Sequence, residues 1–204
     1  MLKTQPILRF LLGFILAYAG LLIIFSFAEH QFAAHYQAMG KAAFEKFGNK
    51  GIVQFSSRAD NDSNYKLTTK IILFNRDQVI AARQSGQASV LGAELYLSSW
   101  YNGVLPMVLL ISLILASPVP WKRKLIAILV GLLVIYLFIL LKMHLAIANE
   151  YLNTPSLGIL PSHSKLVKTT YEMLVANIET TFIIPVFIWI LVTFRKKDLQ
   201  RLRL

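Results

Sequence analysis

Residues 125–147 read LIAILVGLLVIYLFILLKMHLAI, an apolar run whose only charged side chain, Lys142, comes near its end. A helix needs about 20 such residues to cross the roughly 30 Å hydrocarbon core of a bilayer, so this run is long enough to span one. Three further apolar blocks, about 7–28, 97–117 and 171–194, reach the same length. The whole chain of 204 residues is 56% hydrophobic and 15% charged, with a mean hydropathy of +0.57. Soluble domains carry roughly 25% charged residues, so this composition requires lipid. The expected fold class is therefore a mainly α membrane protein with four transmembrane helices.

A net charge of +11 would suggest nucleic acid in a soluble protein, so the placement of the basic residues decides its meaning. Ten of the 21 Lys and Arg flank the apolar blocks: Lys3 and Arg9, then Lys122, Arg123 and Lys124, then Arg195, Lys196, Lys197, Arg201 and Arg203. One acid, Asp198, shares those stretches. This is the positive-inside pattern, which places both termini and the 122–124 loop in the cytoplasm and makes the bilayer, not nucleic acid, the expected partner. The chain has no cysteine, which excludes a disulfide framework, a thiolate metal site and a cysteine nucleophile.

Residues 29–95 then fall outside the cytoplasm, between spans 1 and 2. In 29–47, Phe32, Tyr36, Met39, Ala43 and Phe47 recur at spacings of three or four, which predicts an amphipathic helix ended by Gly48 and Gly51. In 65–74 the period changes to two, with Tyr65, Leu67, Thr69, Ile71 and Leu73 on one face of a strand. Asn75-Arg76-Asp77 reads as a tight turn into a second strand at 78–83, and 52–57 as a third. The expectation is a small antiparallel β meander too small to stand alone, packed on the amphipathic helix, the membrane or a partner. A Gly and Ser-rich link at 85–92 and a short helical run lead into span 2. Pro118 and Pro120 force a tight turn into span 3. The layout is thus span 1 over 1–28, the extracytoplasmic segment 29–95, a three-helix bundle over 96–194 and a basic tail over 195–204. Ser26-Phe27-Ala28 also resembles a signal-peptide cleavage site, but the apolar core exceeds the usual 7 to 15 residues, which favours an uncleaved anchor.

At 1.5 Å per residue, Lys142 lies roughly 27 Å above the inner end of span 3 and Glu179 roughly 23 Å above that of span 4. Adjacent antiparallel helices would gather Lys142, His144, Asn177, Glu179 and Glu172 into a polar cluster in the outer leaflet. Intramembrane ionisable groups are functional-site candidates, although a Lys142–Glu179 pair that merely holds two helices together is the plainer reading. Gly13, Ala17 and Gly20 form a small-residue stripe suited to close helix contact, and Pro185 should kink span 4.

Asp60-Asn61-Asp62-Ser63-Asn64 begins like a calcium loop, but Tyr65 and Ile71 occupy positions that need glycine and glutamate, so it reads as a polar turn. His30 and His35 are five apart, not the four that places a zinc pair on one helix face, and His163 has no ligand beside it. No nucleophile elbow, phosphate loop or metalloprotease motif occurs. The expected catalytic, cofactor and metal sites are therefore none.

The stretch 96–124, YLSSWYNGVLPMVLLISLILASPVPWKRK, ends its apolar run in Ala-Ser-Pro-Val-Pro-Trp followed by basic residues. It resembles the small membrane proteins found beside bacterial exosortases, which share the layout of one N-terminal span, an extracytoplasmic β segment, three spans and a basic tail. The resemblance implies a place in the bacterial inner membrane next to an exosortase-like protease that processes the sorting tails of exported proteins. Exosortases rely on a cysteine, which this chain lacks, so it is expected to be a non-enzymatic accessory subunit. The alternatives are a membrane enzyme or transporter built on the Lys142, His144 and Glu179 cluster, and a membrane-anchored sensor.

Overall fold

The computed structural model describes residues 4–57, 68–86, 90–159 and 163–194. The proposed calcium-like run, Tyr65, Leu67, Pro161 and the basic tail lie outside these residues, as does part of the Gly and Ser-rich link.

The protein is mainly α with one small antiparallel sheet. Helix α1 (Thr4–Phe27) runs into α2 (Glu29–Phe44), which is followed by strands β1 (Lys46–Phe47), β2 (Gly51–Ser57) and β3 (Thr68–Asn75). Helix α3 (Arg76–Ser85) and strand β4 (Ala93–Ser98) come next, and a π-helical turn over Trp100–Val104 leads into α4 (Leu105–Ala116). The last elements are α5 (Trp121–Asn153), α6 (Ser164–Tyr171) with a second π turn at Glu172–Ala176, and α7 (Thr180–Thr193).

Among the described residues, two helices are long and apolar enough to cross a membrane: Ile7–Phe27 within α1, and α5 with its 33 residues. Of the remaining expected spans, Trp100–Ala116 is apolar but shorter, and Ser164–Ala176 meets Thr180–Thr193 at an 86° bend, giving a third span if that pair counts as one. The bend falls at Asn177–Glu179, upstream of Pro185, which is buried inside α7. The tight turn expected at Pro118 and Pro120 is present. There α4 ends at Ala116, the Lys124 ammonium donates to the Leu115 carbonyl, and Ser117 accepts from Trp189 Nε1 at 2.7 Å. The lysine satisfies a carbonyl that the end of α4 would otherwise leave open, and the serine hydroxyl ties that end to α7.

The sheet is a meander of order β1-β2-β3-β4 with every pair antiparallel. The alternation in β3 reads correctly: Thr69, Ile71 and Leu73 are fully buried while Lys70 and Ile72 are half-buried. The amphipathic helix packs on β2, burying Ala33, Tyr36 and Gly40. It stops at Phe44, and Lys46 and Phe47 turn into β1, where Gly48 reverses the chain at a φ of 59°.

Two expectations are corrected. The strand at 78–83 is the helix α3, because the Asn75 side chain caps it, accepting from the Asp77 amide at 2.8 Å, and Gly86 closes it in the left-handed conformation. The helical run before span 2 is strand β4, in which Ala93, Leu95 and Leu97 face the core while Glu94 and Tyr96 face out. That strand takes up Leu97 and Ser98, so the apolar helical segment expected from Leu97 begins at Trp100.

Sheet and bundle share one hydrophobic core. It runs from Val53, Ile71 and Leu73 through Tyr151, Ile147 and Met143 to Ile139, Ile135, Leu110, Ile114 and Ile188. The length of α5 makes this possible. Its 33 residues rise about 50 Å, roughly 20 Å more than the thickness of a bilayer core, and the sheet packs on its C-terminal turns.

Candidate functional site

The expected polar cluster does not assemble as one site. Lys142 is buried on α5, and its ammonium donates to Thr181 Oγ1 on α7 at 3.2 Å while lying 5.8 Å from the centroid of the Phe138 ring. No ion pair joins it to Glu179 among the described residues. Glu179, Asn177 and Glu172 are exposed at and before the bend between α6 and α7. The 86° bend leaves these side chains exposed even though α6 and α7 both pack on α5, which simple depth arithmetic along a straight helix does not anticipate. Thr181, two residues beyond Glu179, is the side chain that reaches the lysine.

His144 takes a different course. Two residues after Lys142, it points toward the sheet, where its ring lies 5.2 Å from Phe47 and 5.9 Å from Phe44. Phe47 in turn stacks on Tyr151 at 5.4 Å. The rings of Phe44, Phe47 and His144 form one wall of a cavity of about 780 Å³, bounded by the end of α2, the β1–β2 turn, α5, the segment after α5 and α6. That volume falls within the 300–1,000 Å³ of ligand pockets.

Each wall has a local cause. The β1–β2 turn is held by the Val53 amide donating to the Glu45 carbonyl at 3.1 Å and the Arg76 amide donating to the Lys50 carbonyl at 2.7 Å. Beyond α5, Pro155 starts a single 3₁₀ turn that ends at Gly158, whose φ of 61° lies in the left-handed region that favours glycine. Asn75 pins that turn by donating from Nδ2 to the Leu157 carbonyl at 2.5 Å, and Gln78 donates to the Ser156 carbonyl at 2.9 Å. One asparagine thus caps α3 and fixes the cavity's far wall.

The polar lining is basic. Lys46, Lys50 and His144 face the cavity together with Asn49, and among the described residues no carboxylate lines it. Lys50 also pairs with Asp77 at 2.8 Å; that hydrogen bond and the nearby negative charge raise its pKa above the ordinary lysine value. The apolar lining comes from Phe44, Ala148, Ile159 and Val167. Sequence reading marks His144 but assigns it to the wrong cluster, and it misses Lys46 and Asn49, whose approach to α5 depends on the hairpin.

On α1, the half-buried face runs through Phe10, Gly13, Phe14, Ala17, Tyr18, Leu21 and Phe25, toward α4. A Cβ on Gly13 would meet Ala116 at an ordinary 3.9 Å, and one on Gly20 would meet nothing within 4 Å. Of the two glycines in the small-residue stripe, Gly13 therefore meets the neighbouring helix and Gly20 does not. Among the described residues, no three His, Asp or Glu side chains gather to hold a metal.

Compared with known proteins, the chain matches no family model, no curated protein and no solved structure.

Proposed function

We propose that this chain is a non-enzymatic accessory subunit of a bacterial envelope complex that sorts or processes exported proteins, working beside an exosortase-like membrane protease. In this reading it has four spans with both termini in the cytoplasm, and the sheet stands outside the inner membrane. The broken α6–α7 pair acts as the fourth span and Trp100–Ala116 as the second.

The observation that carries the reading is the seat of the sheet on the end of α5. Tyr151 Oη lies 3.2 Å from the Phe74 carbonyl and 3.3 Å from that of Ile52, joining β2 and β3 to the long helix. A sheet fixed at a set height above the bilayer is suited to holding an exported chain or a partner in register with chemistry performed at the membrane surface. Apolar side chains along one face of α5, among them Leu129, Leu133, Leu137 and Leu141, are exposed and offer a stripe to lipid or to a second membrane protein. The resemblance in residues 96–124 supplies the kind of partner.

The test is co-expression with an exosortase-like protease and a substrate bearing its C-terminal sorting tail. The subunit should co-purify with the protease in mild detergent, and tail processing should fall when the subunit is omitted. A subunit that neither co-purifies nor alters processing contradicts the proposal. Processing that is lost on Lys142→Met or His144→Gln, with the complex intact, would instead favour an enzyme or transporter using those groups.

A further inference from the structure

We infer that the cavity between the β1–β2 turn and the outer half of α5 binds one phosphate-bearing membrane lipid. The phosphate would lie against Lys46 and Lys50 and an acyl chain along Phe44, Ala148, Ile159 and Val167. This rests on α5 crossing the bilayer and not on the accessory-subunit reading.

The first support is depth. Counting from Trp121, an aromatic residue beside the basic run of the opposite interface, His144 lies about 35 Å along α5, just beyond a hydrocarbon core of roughly 30 Å. The cavity is therefore level with the headgroups of the leaflet beneath the sheet. The second support is division of the lining. Lys46, Lys50 and Asn49 come from the hairpin, whereas Phe44, Ala148 and Val167 come from helices α2, α5 and α6. An amphiphile fits that polarity, with its anionic head toward the hairpin.

The third support is charge. Lys46 makes no ion pair among the described residues, and its neighbour Glu45 faces the other side of the strand, where it lines a separate hollow with Lys41. The Lys46 ammonium therefore keeps its charge available to the cavity. His144 has no hydrogen bond among the described residues, so its ring nitrogens remain open to a phosphate oxygen or an ester carbonyl. Lysine is a point-charge ligand for phosphate, and an anionic lipid surface attracts such residues.

The test uses the full chain, purified in mild detergent and read by native mass spectrometry with added lipid. With phosphatidylglycerol the protein should retain one lipid molecule, and Lys46→Gln should lower the retained fraction at least fivefold while Lys46→Arg keeps it. Lys41→Gln, on the opposite face of the same segment, should leave retention unchanged. Val167→Trp, which fills the apolar end, should also abolish retention with folding checked by thermal melting. Phosphatidylcholine retained to the same extent with Lys46 mutated would overturn the role of the anionic site. So would equal losses from Lys41→Gln and Lys46→Gln, which would mean general surface attraction. Inorganic phosphate that displaces the lipid at millimolar concentration would reassign the site to free phosphate and overturn the lipid proposal.

Discussion

The hydroxyl of Tyr151 sits 3.2 Å from the carbonyl oxygen of Phe74, so the last turns of α5 are bonded to the end of β3. Gly51 leaves room for that contact, because a Cβ there would stand 2.9 Å from the same hydroxyl and 2.4 Å from the Phe47 carbonyl oxygen. Two long-range constraints, one bond and one missing side chain, therefore hold the sheet on the helix.

Tyr151→Phe removes the bond and keeps the ring stacked on Phe47. It should cost about 1 kcal/mol, the ordinary net value of such a hydrogen bond. Tyr151→Ala, which also empties a fully buried ring site, should cost roughly 3–5 kcal/mol. Thermal melting in detergent measures both, and a Tyr151→Phe variant as stable as the parent would mean the hydroxyl contributes nothing.

Gly40 on α2 faces the ring of Phe55 so closely that a Cβ would lie 2.5 Å from it. Gly40→Ala should destabilise the sheet–helix contact by about 1–3 kcal/mol despite the better helix propensity of alanine. Adding Phe55→Leu should restore part of the loss, and a double variant no better than the single one would contradict this contact.

Lys142 is buried with a neutral hydroxyl as its hydrogen-bond partner. Lys142→Met keeps the side-chain volume and removes the charge, so stability should be unchanged or rise by about 1 kcal/mol. Thr181→Val should instead lower it by about 1–3 kcal/mol by leaving the ammonium bare. A large loss on Lys142→Met, accompanied by no loss on Thr181→Val, would show an anionic partner other than Thr181.

On the outer face of the sheet, Lys70 pairs with Glu94 at 2.6 Å and Tyr96 donates to the same carboxylate at 2.7 Å. Those two hydrogen bonds, the lysine's first, hold the Glu94 pKa below the ordinary glutamate value. A depressed carboxyl stabilises the fold above its unfolded pKa, and the contribution disappears as pH falls through the depressed value. The carboxylate is exposed, so the effect on stability is small and the titration is the better readout. In an NMR titration the Glu94 midpoint should lie below the normal range and move up in Lys70→Met. An unchanged midpoint would contradict the pair.

Much of this fold is legible in the order of the residues. Period two in residues 69–73, the amphipathic spacing of Phe32, Tyr36 and Met39, and the Pro118–Pro120 break all correspond to observed structure, because each is set by local geometry. Residues 78–83 mislead, since Val79, Ile80 and Ala81 are apolar enough for a strand, although the cap at Asn75 and the stop at Gly86 are both in the sequence. β4 is hidden because its alternation, Ala93-Glu94-Leu95-Tyr96-Leu97, runs without a turn into the apolar block behind it. The site is less legible than the fold. Whether Lys142 meets Glu179 or Thr181 depends on the 86° bend between α6 and α7, and whether His144 faces lipid or the hairpin depends on where β1 returns. Both are tertiary outcomes that no spacing within one helix encodes.

The central claim is that sheet and bundle form one body, fixed through α5. The chain contains no cysteine, so two can be introduced for spin labels without background: one at Gln54, exposed on β2, and one at Leu137, exposed on α5. Double electron–electron resonance between them in lipid nanodiscs should give one narrow distance distribution, broadened when Tyr151→Ala is added. A broad distribution in the otherwise unaltered chain would mean the sheet moves independently of the membrane helices, and would contradict the account.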